Sequence, residues 1–166
     1  LTKIGVYKKN RPDLIHIGPF LGAYFYDINT TKPPLNDKRV RRALSLAIDR
    51  ASIVKNITRG GQLPAFNLTP PGTAGYTCRT QLHEDVAEAK RLLAEAGYPD
   101  GKNFPTFEVL YNTQEAHRAI AEAIQQMWKN NLGIDARLAN QEWKVYLDSQ
   151  RTLNYQVSRA SWIGDY

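Results

Sequence analysis

The segment FEVLYNTQEAHRAIAEAIQQMWKNNLGIDARL, residues 107–138, gives the clearest indication of the architecture of this chain. Residues 107–111 alternate in the manner of a β-strand, and 114–131 form the longest helical pattern in the sequence. The apolar positions of that helix are Ala116, Ile120, Ala123, Ile124 and Met127. Gly133 is a typical helix terminator, and 134–138 is the next predicted strand. This succession of strand, helix and strand predicts an α/β domain.

The same alternation extends along the rest of the chain. Further strands are predicted at 20–28 and 155–163, and further helices at 37–48, 51–58, 84–96 and 142–149. Asn36 or Asp37 is expected to cap the first of these helices, and Asp49 the second. The opening through Pro19 carries no such pattern, and 62–80 is a long, turn-rich loop.

Composition indicates a globular protein. Of the 166 residues, 42% are hydrophobic and 23% are charged, which is typical of a chain that buries a core. No stretch approaches the roughly 20 apolar residues that span a membrane. The chain starts at Leu1 with no signal-peptide pattern, so we expect a processed protein or a piece of a longer one. Cys78 is the single cysteine, which excludes an internal disulfide and leaves the compartment open.

The chain is basic, with 22 Lys and Arg against 16 Asp and Glu and a formal charge of +6. The only dense basic run is Lys38, Arg39, Arg41 and Arg42, at the start of a predicted helix. A nucleic-acid-binding module is therefore one alternative, because such modules need clustered cations. Those modules also need aromatic residues among the cations, and here the aromatics lie on other segments. We favour a solvated basic face and expect no nucleic-acid partner.

The sequence offers little of what catalysis or metal binding requires. The three histidines form no metal-ligand spacing, and there is neither a nucleophile elbow nor a glycine-rich phosphate loop. We therefore expect no metal, cofactor or enzymatic activity, with a peptide hydrolase fragment as an alternative. His117 lies near the start of a predicted helix, where a histidine can meet an anion. The simpler interpretation is a surface histidine.

The closing octet RASWIGDY, residues 159–166, combines a cation, a large aromatic and a carboxylate at a spacing of three. Arg159 suits a carboxylate, Asp165 suits an ammonium, and Trp162 can line a pocket between them. In a regular strand, residues 159 and 165 share one face and 162 lies on the other. This pattern is typical of a site for a zwitterion. Taken alone, however, the octet favours an ordinary edge strand with one core tryptophan, because charged strand residues are usually solvated.

Several separate motifs connect this chain to a known family. They are Tyr24-Phe25-Tyr26 with Asn29, Lys32 to Asp37 with Arg39-Val40-Arg41, Ala43 to Arg50, Ala89 to Tyr98, Tyr111-Asn112-Thr113, Trp128-Lys129, Asn131 to Ile134, Asn140 to Trp143, and the closing octet. Together they resemble the oligopeptide-binding proteins of bacterial ABC importers, in the dipeptide, oligopeptide and nickel-binding solute-binding protein family 5. The resemblance runs from about Arg11 to Tyr166, and residues 1–10 match weakly.

The resemblance implies a two-lobed, periplasmic-binding-protein-like (type II) α/β fold that closes on an extended oligopeptide. Residues 1–166 then form one domain, most of the second lobe, with a mixed sheet and flanking helices. The implied role is the non-enzymatic, extracytoplasmic solute-binding component of an importer, periplasmic or anchored on the outer face of the cytoplasmic membrane. The implied partners are the peptide, the missing first lobe and the membrane subunits of the importer.

The resemblance also implies charged contacts with both ends of the peptide. Asp165 matches the aspartate that holds the α-ammonium group. Arg159 and His117 match residues that meet the terminal carboxylate at some peptide lengths. One departure concerns Gln150-Arg151, where relatives have an arginine at the first of the two positions.

The remaining implied contacts concern pocket walls and the peptide backbone. Trp143 and Trp162 match aromatic walls, and Phe25 matches a pocket-lining aromatic. The backbone from Ser161 to Ile163 matches the strand that pairs with the extended peptide. Ser161 is itself a departure, because many relatives have glycine there.

Overall fold

The structure is a computed structural model and describes residues 3–18 and 20–164. Its helices are α1 (Ile4–Asn10), α2 (Lys38–Leu46), α3 (Arg50–Ser52, continuing as π-helical turns through Ile53–Thr58), α4 (Val86–Glu95), α5 (Glu115–Leu132) and α6 (Trp143–Arg151). Its strands are β1 (Gly22–Ile28), β2 (Phe107–Asn112), β3 (Ala136–Gln141) and β4 (Val157–Ile163). Short 3-10 turns lie at Pro12–Leu14, Thr73–Gly75 and Pro99–Gly101.

The four strands form one mixed sheet in the order β1-β4-β2-β3. β1 pairs antiparallel with β4, whereas β2 pairs parallel with both β3 and β4. The segment 107–138 forms a strand, a crossover helix and a parallel strand, which is the unit that a parallel pair requires. The mixed α/β sheet with flanking helices that the sequence and its resemblance predict is confirmed.

The main core lies between one face of the sheet and helices α2, α4 and α5. Val109 and Val157 from the sheet are buried there together with Leu44 and Leu93 from the helices. Trp128 of α5 adds a specific link, because its indole N–H donates to the carbonyl of Leu44 at 2.8 Å. That bond satisfies a polar group that would otherwise be costly to bury.

Helix α6 covers the opposite face of the sheet. It packs against β2, and both Tyr146 of this helix and Leu110 of β2 are fully buried. Gln150 of the same helix donates to the hydroxyl of Ser158 at 3.2 Å. The sheet is therefore covered on both faces near β2 and the start of β4.

The helix boundaries follow the capping residues that the sequence predicts. The carboxylate of Asp37 accepts from the backbone N–H of Arg39, and that of Asp49 from Ser52. Gly133 ends α5 at a φ of 70°, a conformation that glycine adopts without a steric penalty.

Several boundaries differ from the prediction, and β1 and β4 each begin two residues later than predicted. Residues 4–10 are helical rather than irregular, although α1 has no capping side chain and buries no residue. Helix α4 begins at Val86, because Asp85 is its cap and accepts from the N–H of Glu88. Strand β3 begins at Ala136 rather than 134, because the N–H of Ile134 still donates to Trp128 across the helix end.

Within residues 3–18 and 20–164, no helix has the length and apolar character needed to cross a membrane.

A buried leucine should matter far more to stability than an exposed one. Leu44 is 1% exposed and Leu63 is 73% exposed. We expect Leu44→Ala to lower the free energy of unfolding by about 2–5 kcal/mol, since it removes packed methylene groups and leaves a cavity. Leu63→Ala should stay within about 0.5 kcal/mol of the wild type.

Urea unfolding followed by far-UV circular dichroism and by tryptophan fluorescence measures both variants. If residues 1–166 form one domain, the two signals change in a single coincident transition. Equal losses for the two variants would refute the assignment of this core, and separate transitions would refute the single domain.

Candidate ligand-binding site

The second half of β4 has an open edge. β4 pairs with β1 along its whole length, from Val157 to Ile163, but pairs with β2 only at Val157 and Ser158. β2 ends at Asn112, after which the chain turns towards α5. Beyond Ser158, the side of β4 that faces away from β1 therefore has no strand partner in the part of the chain that the structure describes.

The hydrogen bonds that flank β4 show which of its residues face that edge. The N–H of Gly164 donates to Leu21 at 2.7 Å, and the N–H of Asn29 donates to Gln156 at 2.8 Å. In an antiparallel pair, hydrogen-bonded residues alternate with residues whose N–H and C=O point away. With the observed register, the even-numbered residues of β4 bond to β1. The odd-numbered residues therefore present their backbone groups to the other side.

Ser161 and Ile163 are the odd-numbered residues whose backbone groups are available to a ligand, and both lie beyond the end of β2. Arg159 is less available, because its carbonyl already accepts from the Tyr146 hydroxyl and, at 3.3 Å, from the side chain of Gln150. The N–H and C=O groups of Ser161 and Ile163 form an exposed template for an extended chain.

A polar cluster lies on the α5 side of this edge. It contains Arg159 from β4, Tyr24 and Tyr26 from β1, and His117 from the first turn of α5. The Arg159 guanidinium lies 4.9 Å from the centre of the Tyr24 ring, and the Tyr24 hydroxyl lies 3.3 Å from Nδ1 of His117. The structure thus brings together the two residues predicted to meet a carboxylate, with Tyr24 between them.

His117 is buried, so the interpretation as a surface histidine is wrong. Only 8% of the residue is exposed, because α5 places it against β1. Burial is the larger cause and the positive charge of Arg159 the smaller one, and together they lower the pKa of His117 to about 4. Burial also raises the pKa of Tyr24, which keeps its hydroxyl protonated. At neutral pH, Arg159 is therefore the cation of this cluster.

The Arg159 guanidinium is held on several sides. Its Nη2 donates to the hydroxyl of Ser161 at 2.8 Å, and its Nη1 donates to the side-chain oxygen of Asn112 at 3.4 Å. Its Nε is buried and has no hydrogen-bond partner among the described residues, and the same is true of the Tyr26 hydroxyl. Arg159 as a whole is only half-buried, and a guanidinium is suited to an acceptor such as a carboxylate.

The predicted aromatic walls lie on the other face of the sheet. Trp162 lies three residues after Arg159, and Phe25 lies next to Tyr26, the cross-strand partner of Arg159. Because side chains alternate between the two faces of a strand, Trp162 and Phe25 project to the α6 side. Trp143, the first residue of α6, stacks on Tyr146 with ring centres 5.7 Å apart. Trp143 is 50% exposed and Trp162 is 71% exposed. The prediction that residues 159 and 162 lie on opposite faces is confirmed.

Asp165, the predicted anchor for an ammonium group, lies outside the described residues. Within those residues, no group of three or more His, Cys, Asp or Glu side chains could hold a metal ion. The sequence interpretation selected Phe25 and gave no particular role to its neighbours Tyr24 and Tyr26, which line the polar cluster. The sequence signal that could have indicated them is their spacing of two residues on a predicted strand, which places both side chains on one face.

Acidification should destabilise the chain through His117. The pKa of His117 is about 4 in the folded state and its usual value is 6.5, so between these values the unfolded state binds a proton that the folded state does not. The free energy of unfolding therefore falls as the pH is lowered from 7 to 5, by about 1 kcal/mol after allowance for solvent screening.

Urea unfolding at both pH values tests this expectation. His117→Gln should remove that part of the pH dependence, whereas His16→Gln, at an exposed position, should retain it. Full wild-type pH dependence in His117→Gln would show that burial of this imidazole does not set the response.

The sequence of this chain is similar to one protein family and to several proteins named for peptide binding. The family described as bacterial extracellular solute-binding proteins, family 5 Middle, matches residues 2–166. The chain is 46% identical over 164 residues to the periplasmic murein peptide-binding protein MppA of Escherichia coli, covering 95% of this chain and 30% of that protein. It is 43% identical over 165 residues to the periplasmic oligopeptide-binding protein OppA of the same organism, covering 96% and 30%.

Solved structures show the same relationship. The Escherichia coli murein tripeptide binding protein MppA superposes with a TM-score of 0.89 at 43% identity, over 99% of this chain and 33% of that one. Haemophilus influenzae OppA in complex with RPPGFSPFR superposes with a TM-score of 0.82 at 35% identity, over 99% and 34%. The chain spans about a third of the length of these proteins. It belongs to the family 5 bacterial extracellular solute-binding proteins.

Proposed function

We propose that this chain is most of the second lobe of an extracytoplasmic solute-binding protein that binds extended oligopeptides for an ABC importer. The observation that carries the proposal is the open edge of β4 next to the Arg159 cluster. The first lobe would close over this edge. The protein would then be periplasmic or anchored on the outer face of the cytoplasmic membrane, and would pass its ligand to the importer's membrane subunits.

Backbone pairing would supply affinity that does not depend on peptide sequence. An extended peptide can add to β4 as a further strand, with hydrogen bonds to Ser161 and Ile163. Every peptide has the same backbone donors and acceptors, so this mode accepts many side chains. It suits a transporter, which must bind a class of ligands rather than one.

Charges would read the two ends of the peptide. The Arg159 guanidinium can pair with a terminal carboxylate, and neutral His117 can add a hydrogen bond without adding charge. The positive end of the α5 dipole lies in the same region. Asp165 would hold the α-ammonium group at the other end, as the family resemblance implies.

The aromatic residues of the α6 face would form side-chain pockets. Trp143 and Trp162 are exposed in this chain, and large exposed aromatics are common at binding surfaces. Phe25 lies on the same face as Trp162. We assign these three residues to pocket walls that the first lobe would cover.

The related proteins support peptides as the ligand class. Relatives are named for murein peptides, oligopeptides and dipeptides, and one solved relative holds the nonapeptide RPPGFSPFR. We carry this ligand class over to the present chain because the open strand edge and the Arg159 cluster are chemically suited to it.

The geometry of the cluster disfavours a peptide hydrolase. A hydrolase would need a nucleophile bonded to a base. The Ser161 hydroxyl accepts from Arg159, and His117 bonds to Tyr24 instead, so within the described residues these groups form no such pair. We therefore propose a binding role without catalysis.

The basic run on α2 gives little support to nucleic-acid binding. Arg39 pairs with Asp37 at 2.6 Å and also donates to the carbonyl of Glu95. Arg41 donates to the carbonyls of Leu35 and Asn36. Two of the four cations are thus engaged in hydrogen bonds within the chain, which leaves only the other two for contacts with phosphate groups.

Asp165→Asn in the complete two-lobed protein tests the assignment of the peptide's amino terminus. The variant keeps the shape of the side chain and removes its charge. Deleting one partner of a buried ion pair costs about 3–5 kcal/mol, so affinity for peptides with a free amino terminus should fall by a few hundred- to a few thousand-fold. N-acetylated peptides bring no ammonium group and should lose far less.

Isothermal titration calorimetry with matched free and acetylated peptides provides the measurement. Asp148→Asn is a suitable control, because Asp148 is an exposed carboxylate on α6 and should leave both affinities unchanged. Equal losses for free and acetylated peptides in Asp165→Asn would show that Asp165 supports the strand instead of reading the amino terminus.

A further inference from the structure

We infer that Ser161 and Tyr24 are positioning residues that fix the Arg159 guanidinium, and that Ser161 thereby strengthens the preference for peptides ending in a free carboxylate. This inference rests on the proposed function and deepens it. It concerns how this chain prepares its cation before a ligand arrives.

The contacts around Arg159 restrict the guanidinium in complementary ways. The Tyr24 ring lies beneath it at 4.9 Å, which favours a cation over the ring face. The Ser161 hydroxyl accepts from Nη2 of Arg159 at 2.8 Å and thereby fixes how the guanidinium is rotated within the guanidinium plane. The contact with Asn112, at 3.4 Å, is longer and weaker. Ser161 and Tyr24 therefore dominate the orientation.

The sheet register explains why these two residues share the task. Tyr24 is the direct cross-strand partner of Ser161, and Arg159 lies two residues before Ser161 on the same strand. All three side chains therefore project to the same face of the sheet. Tyr24 also contacts His117 through its hydroxyl, at 3.3 Å. Tyr24 thus contacts both groups that are proposed to meet the carboxylate, and its ring is the part that positions Arg159.

Ser161 connects the cation to the peptide-binding edge. Its backbone faces the open edge of β4, and its side chain holds Arg159. A peptide that pairs with Ser161 is therefore placed at a fixed offset from the guanidinium. An unrestrained arginine side chain samples many rotamers and loses that freedom when a carboxylate binds. If the chain itself restricts Arg159, less of this cost falls on ligand binding.

The test compares Ser161→Ala with Ser161→Thr in the complete two-lobed protein. Alanine removes the hydroxyl and keeps the β-carbon, whereas threonine retains the hydroxyl. Calorimetry with one peptide as the free acid and as the carboxamide gives the ratio of the two affinities. We expect this ratio to fall about three- to tenfold in Ser161→Ala, which corresponds to the net contribution of one typical hydrogen bond, and to stay near the wild-type value in Ser161→Thr.

Tyr24 is tested with a second matched pair. Tyr24→Phe keeps the aromatic ring beneath the guanidinium, and Tyr24→Leu removes it. The acid-to-amide ratio should fall in the leucine variant and change less than twofold in the phenylalanine variant. An unchanged or increased ratio in Ser161→Ala, or equal effects of the two Tyr24 variants, would overturn the inference.

Arginine-selective 15N NMR of the ligand-free protein provides a readout that needs no peptide. A fixed guanidinium gives separate Nη1 and Nη2 signals for Arg159, and a rotating one gives an averaged signal. We expect separate signals in the wild type and averaging in Ser161→Ala. Averaged wild-type signals would refute the positioning role. If the wild type binds neither peptide, the proposed function fails, while the NMR comparison still decides whether Ser161 fixes Arg159.

Discussion

Strand β4 loses one of its two strand partners part of the way along its length, and the rest of the site depends on this loss. It bonds to β1 throughout but to β2 only at Val157 and Ser158, and β2 itself ends two residues past this pairing, at Asn112, where the chain continues into α5. The same event leaves Ser161 and Ile163 with a free backbone edge and brings the first turn of α5 next to that edge. A strand edge and a helix amino terminus thus meet where an extended anion-ended chain can lie.

The electrostatics of the cluster follow from burial. Covering His117 with β1 keeps the imidazole neutral, so Arg159 provides the positive charge and His117 provides hydrogen bonding. The buried Nε of Arg159 has no partner within the described residues. The residue as a whole is only half-buried, so its guanidinium can still pair with an acceptor. Under the proposed function, this arrangement and the backbone edge would bind peptides by features that all of them share.

Much of the fold could be predicted from the sequence because local signals and tertiary structure agree. Asp37, Asp49 and Gly133 bound their helices as expected, and the segment 107–138 forms the predicted strand, helix and strand. Helix α1 was missed because it buries no residue and therefore leaves no apolar periodicity to detect. The later start of β3 depends on a hydrogen bond across the end of α5, which residue patterns do not reveal.

The sequence could suggest residues for the site but not their arrangement. Family resemblance selected Arg159, His117, Trp143 and Trp162, yet the order of the strands determines which of them meet. Burial of His117 depends on β1 being placed beside β4, an antiparallel pairing between segments that are far apart in the sequence. Tyr24 acquires its place between His117 and Arg159 for the same reason. Contacts between such distant segments cannot be read from spacing along the chain.

Amide hydrogen exchange along β4 tests the central claim most directly. It is measured residue by residue in the complete protein, with and without a bound peptide. The N–H groups of Ala160 and Trp162 bond to β1 and should exchange slowly in both states. Those of Ser161 and Ile163 should exchange rapidly without peptide and at least tenfold more slowly with it, since a bound peptide would supply the missing strand partner. Unchanged exchange at Ser161 and Ile163 on saturation with peptide would contradict binding by strand addition at this edge.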